Sequence, residues 1–512
     1  MLTPEYLDGL TDDILAMYDA LSETIIEDMS RRIVKTGMVT ETAAWQMKQV
    51  QEMGTLYEDV IERIAEVSGY AEDELKRLFE DVGVENIRYE NDIMSQMGLM
   101  PIELKQSETM MKLLKAGLEK TSRDLTNLTL TTAIRAQNAY YNATNLAYLQ
   151  VSSGVLSYQE AIKRAILTVA RDGATVLYPS GHIDKIDVAV RRAVLTGVNQ
   201  TSAKMNLEYC DESGCDFVET TAHSGARPSH EVWQGKVFSI SGKSNMYPPF
   251  SETGYGTGAG LCGWNCRHNF HAFWPGISVP AYTEKVLTSY SAREYEYNGK
   301  KLTDYECCQM QRSMERKIRE TRRQLTACNA AMETTEDVVL KEKLKMAFEN
   351  KSVCLKAQET DLKDFCRKTK RPVDSSRLQV HAVKDDQGRI VGFNKSVSQK
   401  AVQVNIRYQK VENSDIINIS DKQFGKKVGK HTKEYGLNPQ SSVDRQRMRH
   451  IILDIVENAD EVREGNWRSQ EGLCQFYIKG PDVVVTRGKE FVTILKGGVE
   501  NERVKNAGKR KI

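Results

Sequence analysis

No stretch of this sequence approaches the ~20 consecutive apolar residues needed to cross a bilayer, which argues against a membrane-spanning helix. Net charge is nearly absent as well. Against 71 Lys+Arg stand 70 Asp+Glu, so the whole chain has no bulk attraction to nucleic acid or to an acidic membrane. The opening MLTPEYLDGLTDD is acidic and has no basic segment ahead of an apolar core, so no secretory signal is expected. The ten scattered cysteines are then expected to be reduced thiols in a soluble protein made in the cytoplasm. Glycine and proline are missing altogether from residues 314–365, which removes the usual helix breakers there.

What is present is mostly helical periodicity. Leu15, Tyr18, Leu21, Ile25, Met29 and Ile33 recur at three- and four-residue spacing, the stripe of an amphipathic helix. Residues 41–67 and 71–79 read as a second and a third helix. SYQEAIKRAILTVARDG opens with a capping box, Ser157 and Glu160, and stops at Gly173. The helix after it carries Arg191 and Arg192, and residues 314–365 form a hairpin of two long helices broken near 329–336. Arg312, Arg316, Arg319, Arg322 and Arg323 line its first arm and are expected to pair with neighbouring acids rather than with DNA.

Residues 221–276 break the helical pattern. They hold His223, His230, His268 and His271, three of the five tryptophans, four of the eleven prolines, and glycines at 254, 256, 258, 260 and 263. Such a stretch is too rich in glycine and proline for a long helix and too aromatic for a linker, so a rigid module of short strands and loops is expected. Cys262, Cys266, His268 and His271 fall within the spacings used by zinc sites, and His223 and His230 could converge on them. The alternative is buried apolar thiols and structural histidines. The glycines of 254–260 mimic a dinucleotide fingerprint, but the strand before and the helix after are both missing, so a tight turn-rich loop is the better reading.

The strings HSGARPSHEVWQGKVF and TGYGTGAGLCGWNCRHNFHAFWPG, with the helical segments around them, resemble the phage minor capsid protein 2 family, relatives of the MuF-type head morphogenesis proteins. The resemblance covers roughly residues 1–370. It implies a structural component of a phage head at the portal vertex, with portal and capsid proteins, and viral DNA, as partners, and the virion as its location.

After the break at RPVDSS, residues 377–412 alternate polar and apolar residues as a small β segment or a linker, with DDQG at 385–388 as a hairpin turn. Residues 413–512 differ again, with 19 Lys+Arg against 14 Asp+Glu, two helices, and a meander of CQFYIKG, DVVVTRG and EFVTILKGG. Their wording resembles phage-encoded members of the barnase–EndoU–colicin–RelE-like nuclease group, which implies metal-independent RNA cleavage. That chemistry needs a proton-transfer group and cations for the phosphorane. His431 suits the first role, with Lys427 one turn before it, while Arg468, Lys496, Thr486 and Thr493 are candidates to bind phosphate. Tyr477 and Lys479 should lie on the sheet face away from the core. The competing reading is a domain that binds nucleic acid or protein without catalysis. An ADP-ribosyltransferase is disfavoured, because no Arg…Ser-Thr-Ser…Glu-x-Glu series follows residue 280.

The expectation is therefore an α+β multidomain protein: a helical portion (1–205), a small mixed module (206–280), a helical hairpin (281–370), a linker or β segment (371–412), and a C-terminal helix–helix–antiparallel-sheet domain (413–512).

Overall fold

The computed structural model describes residues 2–36, 42–96, 98, 100–380, 382–384, 390–393, 395–412, 417–419, 429–439, 442–468 and 472–509. The chain divides into two compact units, residues 1–344 with 358–395 and residues 345–357 with 396–512. The architecture is α+β, as the sequence pattern anticipates.

The first unit begins with α1 (Pro4–Gly9), α2 (Asp12–Lys35), α3 (Thr42–Gln96), α4 (Glu108–Ser152), α5 (Tyr158–Asp172) and α6 (Ile186–Ser213), with a two-stranded pair, β1 (Thr175–Leu177) and β2 (Ile183–Lys185), between α5 and α6. The stripe on α2 is buried as expected. The second and third sequence-predicted helices are one continuous helix, α3. Leu56, Val60, Ile64, Val67, Ala71, Leu75, Leu78 and Val82 are all buried at three- and four-residue spacing, so the apolar stripe runs unbroken past Gly69. A lone exposed glycine costs a helix only ~1 kcal/mol, which the stripe outweighs.

Helices α4 and α6 cross closely because glycine faces threonine on each side. A Cβ on Gly117 would lie 2.1 Å from Thr201 Oγ1, and one on Gly197 would lie 2.1 Å from Thr121 Oγ1. Helix α5 buries Ala161, Ile162, Ala165, Ile166 and Val169. Its Ser157 Oγ accepts the Glu160 N–H (3.3 Å), but the Glu160 carboxylate pairs with Lys163 and Arg164, so only half of the expected capping box forms.

The central module holds the three-stranded antiparallel sheet β4-β3-β5 (β3, Phe217–Thr220; β4, Val237–Ser239; β5, Phe270–Ala272). Helix α7 (Glu284–Tyr290) and the hairpin β6 (Tyr295–Tyr297) and β7 (Lys300–Leu302) lead to α8 (Asp304–Thr334), which a Thr303/Glu306 capping box starts. The turn to α9 (Val338–Lys368) comes at 335–337, where Asp337 caps α9. Helix α8 lies along α2 and α5. Three of its arginines do pair with acids, though in the interior rather than on a wet face. Arg319 meets Asp187 at 3.1 Å, Arg322 meets Glu359 at 2.9 Å, and Arg323 reaches Asp19, Glu23 and Asp187 at 2.9, 3.4 and 3.6 Å. Arg191 and Arg192 likewise engage Asp8 and Asp184.

Beyond α9, β8 (Ala382–Lys384) and β9 (Ile390–Phe393) pair as the expected hairpin, whose turn at 385–389 lies outside the described residues. Residues 396–412, part of the stretch read as a small β segment or a linker, form helix α10 (Ser396–Glu412). Ala401 and Val404 are buried three residues apart, while Val402 and Ile406 are exposed. In the second unit, α11 (Gly429–Glu434) and α12 (Ser442–Glu457) precede a five-stranded antiparallel sheet in the order β13-β12-β11-β10-β14. Its strands are β10 (Glu461–Gly465), β11 (Cys474–Lys479), β12 (Asp482–Arg487), β13 (Glu490–Leu495) and β14 (Gly508–Lys509), with α13 (Glu502–Lys505) before the last. Both faces of this sheet are covered. Val484, Phe491 and Ile494 pack with Met448, Ile452 and Val456 of α12, while Phe476, Ile478, Val483 and Val485 pack with Trp467 and Val504. Tyr477 and Lys479, expected to face away from the core, lie on the α12 side: Tyr477 packs into that cluster and Lys479 pairs with Asp454 of α12 at 2.8 Å.

Candidate metal centre

The loop between β4 and β5 is held by its glycines. A Cβ on Gly260 would lie 2.0 Å from the Gly254 carbonyl oxygen, and Gly254 and Gly256 have φ of 66° and 88°, so close approach and left-handed backbone account for them as the sequence suggests. Helix α6 clamps the strand that follows. Asn199 Nδ2 donates to the carbonyls of Cys266 and His268 (2.9 Å each), Asn206 Nδ2 donates to Asn269 Oδ1 (3.0 Å), and Asn269 Nδ2 donates to Asn199 Oδ1 and Ser202 Oγ (3.0 and 2.8 Å). These amides are buried, so their mutual satisfaction fixes one geometry for the loop.

That geometry brings together His230, Cys266 and His268, all buried. His230 Nδ1 and His268 Nδ1 are 3.4 Å apart, and Cys266 Sγ is 3.9 and 3.5 Å from them. Zinc–nitrogen and zinc–sulfur bonds of ~2.05 and ~2.3 Å at tetrahedral angles would space such atoms by about 3.3 and 3.6 Å. The outer nitrogens are engaged as well. His230 Nε2 donates to the Ala259 carbonyl (2.9 Å) and His268 Nε2 to Gln234 Oε1 (3.0 Å), while Gln234 Oε1 also accepts the His223 N–H (3.3 Å). With Nε2 protonated on each ring, both Nδ1 lone pairs aim at one point with only a thiol proton to share, the arrangement a cation resolves.

Burial keeps these rings neutral. It pulls His223 down to about 4, with Arg267 adding to the effect, and it lowers His230 and, further, His268. Burial also raises the Cys266 thiol, so a thiolate here would depend on a metal to displace the proton.

The four residues expected from spacing do not all meet. Cys266 and His268 belong to the group; Cys262 and His271 do not. Cys262 Sγ donates to the His268 carbonyl (3.5 Å) from a left-handed backbone (φ 56°). His271 Nε2 lies 3.4 Å from Glu219 Oε2, with its ring edge-on to Tyr89. His230 joins them instead, 36 residues before Cys266, a separation with no tight motif of its own. His223 stacks on His268 at 4.5 Å. These three residues line a cavity of about 360 Å³.

The C-terminal candidates are dispersed. His431 Nδ1 is 2.8 Å from Glu434 Oε2, and Lys496 Nζ donates to the Glu434 carbonyl at 2.6 Å, so these two are near one another. Arg468, exposed with φ 49°, stacks on Trp467 between β10 and β11. Thr486 and Thr493 are buried, and Thr486 Oγ1 donates to Gln475 Oε1 at 3.2 Å. Thr486 sits at the opposite end of β12 from Val483, the partner of Leu495, roughly 10 Å along the strand. Lys427 lies outside the described residues.

Against known proteins, the model of the family Phage minor capsid protein 2 matches residues 2–367, a span that contains the helical portion, the central module and nearly all of α9. The chain is also similar to a protein named "Structural protein" from Lactococcus phage LL-H, 25% identical over 297 residues, or 54% of this chain and 76% of that protein. No solved structure matches.

Proposed function

This chain belongs to the phage minor capsid protein 2 family, and from that premise we propose that it is built into a tailed-phage head at the portal vertex, touching portal and capsid proteins there. The observation that carries the reading is the family match across residues 2–367, which takes in the whole helical scaffold and the central module. Leu130, Ile134 and Tyr141 support it. They lie on one exposed line of α4, an apolar surface of the kind that mates with neighbouring subunits. Mass spectrometry and cross-linking of purified particles test it: the chain should co-purify with heads and cross-link to portal. Its absence from particles would contradict the proposal.

Within the module, the proposed ligand is a zinc ion held by His230, Cys266 and His268, a rivet for a loop with little regular structure. Protein purified without added metal should contain close to one equivalent, reduced strongly in His230→Ala and retained in His271→Ala. The reverse pattern would restore the set expected from spacing.

For the C-terminal unit the non-catalytic reading is preferred, with binding to nucleic acid or protein as its role. Thr486 and Thr493 are buried, Arg468 stacks on Trp467, and of the phosphate candidates Lys496 alone is near His431 among the described residues. Full-length protein should leave labelled RNA intact in EDTA. RNA cleavage that His431→Ala abolishes would reverse this choice in favour of a ribonuclease effector.

A further inference from the structure

The cavity beside the histidine–cysteine group is lined by an excess of guanidinium groups. Asp8 serves three of them at once: Arg191 at 3.0 Å, Arg377 at 3.0 Å and Arg267 at 3.4 Å. Burial alone would raise the Asp8 carboxyl, but Arg267, Arg377 and Arg191 overcome it and hold the group at about 2. Arg377 has a second carboxylate, Asp374, at 3.2 Å. Arg312 enters the same space from α8, and among the described residues it has no hydrogen bond or ion pair. Burial and the neighbouring Arg267 disfavour its charge, and the attraction of Asp8 offsets them only in part.

Of these four guanidiniums, three have Asp8 within ion-pair distance, and Arg312 has no ion pair among the described residues. The other acids on this wall, Asp12 and Glu315, are pushed upward chiefly by burial, and Asp19 and Asp187 are occupied by Arg319 and Arg323. Leaving a cation half-buried without a partner is costly, and a protein that keeps one there has placed it for an anion. The guanidinium left over, beside three that share Asp8, suits an anion with several oxygens. The planar forks of arginine match phosphate oxygens in pairs. A volume of about 360 Å³ lies within the range of small-molecule sites (~300–1,000 Å³) and exceeds what a bare phosphate would fill.

We propose that this cavity binds a phosphate group, carried on a nucleotide-sized monoester, with Arg312 as the principal contact and Arg267 and Arg377 beside it. The inference stands apart from the head-protein reading, since it rests on charge and cavity alone.

Calorimetry on the full chain at low chloride, with inorganic phosphate, thymidine monophosphate and thymidine as probes, tests it. Both phosphate-bearing probes should bind saturably and thymidine should not; tighter binding of the monophosphate assigns the ligand as a monoester, and equal binding assigns free phosphate. Arg312→Gln should weaken binding by ~10–100-fold, the loss of a charge-assisted contact, whereas Arg88→Gln on exposed α3 should not change it. Without ligand, Arg312→Gln should melt no lower than wild type, because it removes an unbalanced buried cation. No binding of either phosphate probe, unchanged binding by Arg312→Gln, or a ligand-free Arg312→Gln that melts well below wild type would each overturn the proposal.

Discussion

The two tryptophans of the central module show how residue type and residue position part company. Both sit in the same glycine-rich stretch, yet Trp233 is 4% exposed, packed against His230 and His268, and Trp264 is 62% exposed. Trp233→Ala should cost roughly 3–5 kcal/mol and Trp264→Ala well under half of that, measured by chemical denaturation. Equal losses would mean that the exposed ring is covered in solution. The Arg323 cluster makes a second residue-scale prediction. One guanidinium faces Asp19, Glu23 and Asp187, and burial drives Glu23, whose carboxylate is fully enclosed, up to about 8. A carboxyl raised in the folded state contributes stability that is complete below its unfolded pKa near 4.5 and is lost as pH rises through about 8. Wild type should therefore weaken between about pH 4.5 and 8 relative to Glu23→Gln, by an amount on the order of a few kcal/mol. Parallel stability–pH curves for the two proteins would show that Glu23 is ionised throughout.

At the scale of elements, α3 separates propensity from packing. Ser68-Gly69-Tyr70 looks like a break to a local reading, but the buried stripe on either side is in phase for a single helix. Gly69 is helical and a Cβ there meets nothing within 4 Å. Gly69→Ala should accordingly stabilise the protein by ~0.5–1 kcal/mol, read as a rise in melting temperature. A loss of stability would place a turn at this position. Helix α10 teaches the converse. Alternation over 377–412 suggested a small β segment or a linker, and residues 396–412 are helical with Ala401 and Val404, three apart, as a buried pair.

For the molecule as a whole, the apolar line on α4 is where an assembly role is exposed to test. Ile134 is 50% exposed and lies on a helix whose opposite side is well buried, so Ile134→Glu should fold with wild-type circular dichroism and melting temperature. If that surface mates with head proteins, the variant should be incorporated into particles at least several-fold less, scored by blotting of purified heads. Normal incorporation would move the contact elsewhere on the surface.

The amino-acid sequence by itself determined the helical stripes, the mixed character of residues 221–276, the glycine-held turn, and the family to which the chain belongs, because each is written in local spacing or in a contiguous string of residues. It also marked Cys266 and His268, which are two apart. Only the tertiary structure decided that His230 joins them while His271 turns to Glu219, since that depends on the pairing of β5 with β3, which sets His271 opposite Glu219, and on how Asn199 grips the loop from another helix. The arginines of α8 were legible as charges, but their partners lie on α2 and α6 or on α9, and no local rule reaches across such distances. Arg312 was legible in the same way. What sets it apart is the carboxylate it does not reach, a property that exists only once α8, the N-terminal Asp8 and the central module stand around one cavity.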